Sequence, residues 1–96
     1  VKNTVEQYDE QAAACRALML RKNADYGDSW RKYRVTTLTD HIAAKIDRIK
    51  VLEDLQRNGG EQRVVGESIR DNLMDIVNYG LFELVMLSEQ QEAAST

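Results

Sequence analysis

The sequence has one cysteine, Cys15, and one histidine, His41, among its 96 residues. A lone cysteine can form neither an intrachain disulfide nor a cysteine-rich zinc site, and no His-x-x-x-His or Cys-x-x-Cys spacing points to zinc. Cys15 falls inside an apolar stripe with no histidine nearby, so it reads as a small buried hydrophobe rather than a nucleophile. No apolar run reaches membrane-spanning length without a charge, and the opening VKNTVEQYDE lacks the basic and then apolar regions of a secretory leader. The expected compartment is therefore reducing, the cytoplasm. Basic charge is also scarce: 13 Lys and Arg against 16 Asp and Glu leave a net charge of -3, with no general attraction for phosphate backbones. Duplex nucleic acid is not the expected ligand, and the chain has neither repeats nor low-complexity tracts.

What the chain does have is helical periodicity. A chain of this size makes one small domain that buries only about 60 to 65 per cent of its unfolded surface, which favours association with a second copy. The fold expected is all-α: three main helices and a short helix, in a bundle completed by oligomerisation. Thr4 and Gln7 form a capping-box pattern that opens the first helix, 4–23, with Val5, Tyr8, Ala12, Cys15, Leu18 and Met19 on its apolar side. Residues 24–36 read as a loop with a short helix, in which Gly27 can take a positive φ. The second helix, 37–58, opens at Thr37 or Thr39 and stops at Gly59 and Gly60; Leu38, Ile42, Ile46, Ile49 and Leu52 set its apolar face. Two charges fall close to that face, Lys45 at about 40° from Ile49, and Glu53 between Ile42 and Ile46 in projection. His41 has no assigned role. Residues 62–66 make a connector, the third helix covers 66–90, and 91–96 is a polar tail expected to fray.

The third helix organises the rest. At about 100° per residue, Ile69, Leu73, Ile76, Val77, Gly80, Leu84 and Leu87 share an arc expected to be the core face. Glu67, Asp71, Asp75 and Asn78 form a second line within roughly 80°, and Phe82 and Val85 continue that side, so the polar line should be roofed over. Carboxylates near a helix N-terminus complement its dipole, which covers Glu67 and Asp71 but not Asp75 or Asn78, two to three turns in. Salt bridges to Lys45, Arg48 or Arg70 are one explanation of the acids. The other is a hard cation, since Mg²⁺ takes oxygen ligands and carboxylates four apart on a helix can share an ion: Glu67, Asp71 and Asp75 are the metal candidates. In the loop, Tyr26 or Trp30 offers a flat face to a nucleobase, and Asp25 or Asp28, flanking the Tyr26–Gly27 turn, accepts from its exocyclic groups or holds a metal; packing against the core is the competing role for Trp30.

The blocks KNADYGDSW, LTDHIAAKIDRIKVLE and ESIRDNLMDIVNYG, in this order over about residues 18 to 87, resemble the small bacterial and phage domain called nucleotide modification associated domain 1, formerly a family of unknown function. The resemblance implies a connection with nucleotide or modified-nucleotide metabolism. The helical, acid-lined pattern is also similar to the all-alpha nucleotide pyrophosphatases of the MazG type, which hold Mg²⁺ with acids from two helices in Glu-x-x-Glu and Glu-x-x-Asp patterns. Here the acids are four apart, and Glu53 on the second helix has no second Glu three residues away.

Three functions follow as expectations. In a pyrophosphohydrolase, Mg²⁺ on Glu67, Asp71 and Asp75 would neutralise the phosphates, with Glu53 as base and Lys45 or Arg48 on the leaving pyrophosphate, while Asp25, Tyr26, Gly27, Asp28, Trp30 and Asn78 hold the nucleotide. A binding module would hold the nucleotide without turning it over. A purely structural helical oligomer would use the acids in salt bridges between subunits.

Overall fold

The computed structural model describes residues 1–62 and 67–95 and is all-helical, as the periodicities require. The expected start of the third helix at Gly66, most of the expected connector and Thr96 lie outside the described residues. The chain forms two compact units, Val1–Lys32 and Tyr33–Thr96.

The first unit holds α1, Thr4–Tyr26, and a 3₁₀ turn, Ser29–Lys32. Asn3, not Thr4, caps α1: its backbone is extended and its side chain accepts from the Glu6 N–H at 2.9 Å. At the other end α1 runs one turn beyond Asn23, until Gly27 takes φ 62 and returns its N–H to the Asn23 carbonyl at 2.7 Å. The apolar stripe of α1 is covered only in its second half: Cys15 is buried and Leu18 and Met19 are half-buried, whereas Val5, Tyr8 and Ala12 stand exposed. Periodicity identifies the apolar side but not how far along it neighbours reach.

The second unit pairs α2, Val35–Arg57, with α3, Ile69–Ser95. Arg34 occupies the N-cap position of α2 with extended backbone and no side-chain capping bond, so the helix opens two residues before Thr37. Its end is sealed as the glycines suggest. Gly59 turns at φ 74 and donates to the Gln56 carbonyl at 3.1 Å, and Gly60 donates to that of Leu55 at 2.9 Å. α3 starts at a reciprocal box. The Asp71 N–H donates to Ser68 Oγ at 3.0 Å, while the Ser68 N–H and hydroxyl donate to Asp71 Oδ2 at 3.0 and 2.7 Å. The polar stretch 91–95 continues α3 as helix; its Gln, Glu and Ala favour helix, and Ser95 Oγ donates back to the Gln91 carbonyl at 3.0 Å.

Between α2 and α3 the cover is thin. Leu38 is fully buried, and Ile42, Ile49, Leu52 and Leu55 are half-buried. A ring ladder runs alongside: Tyr33 meets His41 edge-on at 5.4 Å, His41 stacks on Tyr79 at 5.5 Å, and Tyr79 meets Phe82 edge-on at 6.5 Å. The arc of α3 expected as the core face is largely the open one. Leu73, Val77, Leu84 and Leu87 are exposed, and only Ile69, Ile76 and Gly80 are half-buried. The helix is apolar on more than one side, and the side that carries Asn72, Asp75 and Tyr79 is the more covered one.

Leu38→Ala should lower unfolding stability by about 2–5 kcal/mol, because a fully buried leucine leaves a cavity. Urea denaturation followed by circular dichroism measures this. Gly59→Ala should cost about 1 kcal/mol in the same assay, since a Cβ strains a positive φ.

Candidate functional site

The acidic line of α3 comes apart into separate tasks. Glu67 is exposed just ahead of the helix, where its backbone carbonyl accepts from Asn72. Asp71 closes the Ser68 box. Asp75 is the counter-ion of Lys45, with 2.9 Å between Oδ2 and Nζ and side chains only 14% and 19% exposed. The polar line is covered only in part, at Asp75 and Asn78, while Glu67 and the expected roof residue Val85 are exposed; the inward charge Lys45 meets Asp75. Among the described residues, no three of His, Cys, Asp and Glu come together as a metal-holding group. Asp71 and Asp75 thus have protein partners, and the three carboxylates expected on Mg²⁺ are not gathered into one group among the described residues.

The other candidates are spread out. Glu53 is exposed on α2, Arg48 is exposed one turn earlier, and Asn78 is buried on α3. In the first unit, Tyr26 ends α1 with its ring 70% exposed, and Asp25 beside it is exposed. Asp28 is tied locally: Oδ1 accepts from Asn23 Nδ2 at 3.0 Å and Oδ2 lies 3.5 Å from Arg31 Nε. Trp30 is buried, with the Arg31 guanidinium 4.5 Å from its ring centroid. Gly27 makes the turn between these residues.

Within the second unit a pocket of about 410 Å³ opens between the C-terminal half of α2 and the start of α3. Val51, Leu52 and Leu55 give it an apolar lining; Asp47, Arg48, Gln62 and Glu67, all exposed, supply polar groups around it. Its volume falls in the range of small-molecule sites. The buried member of the lining is Asn72, 2% exposed. Its Nδ2 donates to two backbone carbonyls, Ser68 at 2.8 Å and Glu67 at 3.3 Å. Both contacts tie the amide back to the carbonyls at the start of the helix. The clamp fixes the amide, with Oδ1 as its acceptor atom.

Of the residues singled out in the sequence as site candidates, Arg48 and Glu67 lie in this lining; Asp47, Val51, Leu52, Leu55, Gln62 and Asn72 were not among them. One signal was legible: Ser-Ile-Arg-Asp is a capping-box pattern, which places Ser68 at the N-cap and Asn72 at the first turn. That a buried asparagine would turn back onto the carbonyls before it is a tertiary outcome.

Residues 22–87 match the family model described as nucleotide modification associated domain 1. The matched span runs from the last turns of α1 to Leu87 of α3 and includes every residue of the pocket lining named above. The comparisons with curated proteins and with solved structures give no match.

Asp75→Asn should destabilise the chain by about 1–3 kcal/mol, because it leaves the Lys45 ammonium covered and uncompensated. Thermal melts with and without Mg²⁺ check this. A cluster of repelling metal ligands would give the opposite result, a mutant at least as stable as the parent and a parent stabilised by Mg²⁺.

Proposed function

The chain belongs to the nucleotide modification associated domain 1 family, and from that premise we propose that its α2–α3 unit binds a nucleotide or modified nucleotide in the pocket beside Asn72. The observation that carries the reading is the clamped amide. A side chain 2% exposed and held by two backbone carbonyls lines a pocket with aliphatic walls, a combination suited to a flat heterocycle with polar edges. Arg48, acting as a donor only, is the group suited to a phosphate.

Pyrophosphate release by a MazG-like mechanism asks for carboxylates gathered on Mg²⁺, and Asp71 and Asp75 are engaged with Ser68 and Lys45. The proposal therefore stops at binding, and no hydrolytic step is assigned to Glu53, Lys45 or Arg48.

Titration of the purified chain with nucleosides and their mono-, di- and triphosphates, with and without Mg²⁺, tests this by calorimetry alongside a pyrophosphate assay. Saturable binding without release is the expected result. Arg48→Ala should weaken phosphate-bearing ligands by about tenfold or more, the loss of one charge-assisted hydrogen bond, and leave nucleosides unaffected. Mg²⁺-dependent pyrophosphate release would make the chain an enzyme, and no binding to any member of the panel would overturn the reading.

A further inference from the structure

One side of α3 faces away from α2. Leu73, Val77, Gly80, Leu84 and Leu87 follow one another at spacings of four, three, four and three, the alternation of a coiled-coil seam. At about 100° per residue they fall within roughly 80° of arc, and the half-buried Asp75, Tyr79, Phe82 and Met86 lie on the opposite side of the helix. Leu84 is 60% exposed, and Leu73, Val77, Leu81 and Leu87 are each close to half exposed. Charge is kept off this side. Between Leu73 and Leu87 the charged residues are Asp75 and Glu83, and both turn to α2: Asp75 to Lys45, and Glu83 Oε1 to the Thr39 hydroxyl, which donates to it at 2.9 Å.

Area and shape both suit a second copy of the chain. Leu73, Val77, Leu81, Leu84 and Leu87 leave on the order of 500 Å² open, so two chains joined by these faces would bury about 1,000 Å², the level at which specific interfaces begin. Gly80 supplies the shape. Glycine is a poor helix former, and inside the α2–α3 unit nothing calls for one: among the described residues, no other element comes within 4 Å of where its Cβ would stand. The seam therefore has a notch at its middle, one turn before its most exposed leucine, Leu84. When two such seams run antiparallel, the layers are Val77 on Leu87 and Gly80 on Leu84, each formed twice by symmetry, and a large side chain fills the notch of the other copy. A parallel pair in register sets Gly80 on Gly80 and leaves the notch unfilled.

We propose that the face of α3 from Leu73 to Leu87 is a homodimer interface, in which two copies of the chain pair antiparallel with Leu84 of each seated at Gly80 of the other. None of these residues is among the described lining of the pocket beside Asn72, so the inference stands apart from the nucleotide-binding reading.

Sedimentation equilibrium of the full chain across the micromolar range tests this, and the expected mass is twice that of the chain. Leu84→Glu places a carboxylate at both notches and should weaken the dimer about a hundredfold or more, while circular dichroism stays helical because position 84 is exposed within the chain. Gly80→Leu has the more particular consequence. It improves helix propensity and meets no other element of the chain, so the separated chain should be no less stable to urea, yet the dimer should weaken about tenfold or more because the notch is filled. Orientation is read by disulfide trapping in a Cys15→Ala background: Val77→Cys together with Leu87→Cys should give a covalent dimer on mild oxidation, and Val77→Cys alone should not. A chain that stays monomeric throughout the range, or a dimer that neither Leu84→Glu nor Gly80→Leu weakens, would overturn the proposal. Trapping through Val77→Cys alone would overturn the antiparallel arrangement.

Discussion

α3 begins where Ser68 and Asp71 bond to each other, and the pocket beside Asn72 follows from that starting point. The reciprocal box satisfies N–H groups that the first turn of a helix leaves without intrahelical partners. It also leaves the carbonyls of Glu67 and Ser68 pointing where the Asn72 amide, one turn later, reaches both. Moving the helix start by a residue would rotate Asn72 about 100° around the axis and separate its amide from the apolar lining on α2. Capping geometry, usually a matter of stability, here also determines the orientation of the buried amide in the pocket lining.

The α2–α3 pair rests on few fully buried apolar side chains, with Leu38 the clearest case. With so little cover, the covered Lys45–Asp75 pair and the ladder from Tyr33 through His41 and Tyr79 to Phe82 have larger parts in fixing how the two helices meet. A covered ion pair contributes little compared with well-packed hydrophobes, yet losing one partner is costly. It favours one alignment of α2 on α3 over its alternatives. That alignment brings Val51, Leu52 and Leu55 opposite the start of α3.

The acidic residues show how one sequence pattern divides under tertiary constraint. Spaced by four, Glu67, Asp71 and Asp75 line up on an ideal helix, which is the reasoning that suggested a shared cation. Glu67 precedes the first helical residue, Asp71 turns back to Ser68, and Asp75 turns across to α2. Angular projection treats these side chains as equivalent. A cap and a counter-ion distinguish them: Asp71 takes the Ser68 donors and Asp75 the Lys45 ammonium, while Glu67 lies exposed ahead of the helix.

The all-α class, the stop at Gly59 and Gly60, the inward Lys45 and the family blocks could all be read from the residues, because they depend on periodicity and on local backbone preferences. The same local logic contains the Ser68 box, in the spacing of Ser and Asp. Which side of α3 is covered could not be read. That helix is apolar on more than one side, and periodicity has no term for where a neighbouring helix lies; tertiary structure left Leu73, Val77 and Leu84 exposed and covered Asn72 and Asp75. The pocket likewise belongs to tertiary structure alone: Val51, Leu55 and Asn72 are separated by up to 21 positions, and only the packing of α2 on α3 makes an aliphatic lining and a clamped amide into one site.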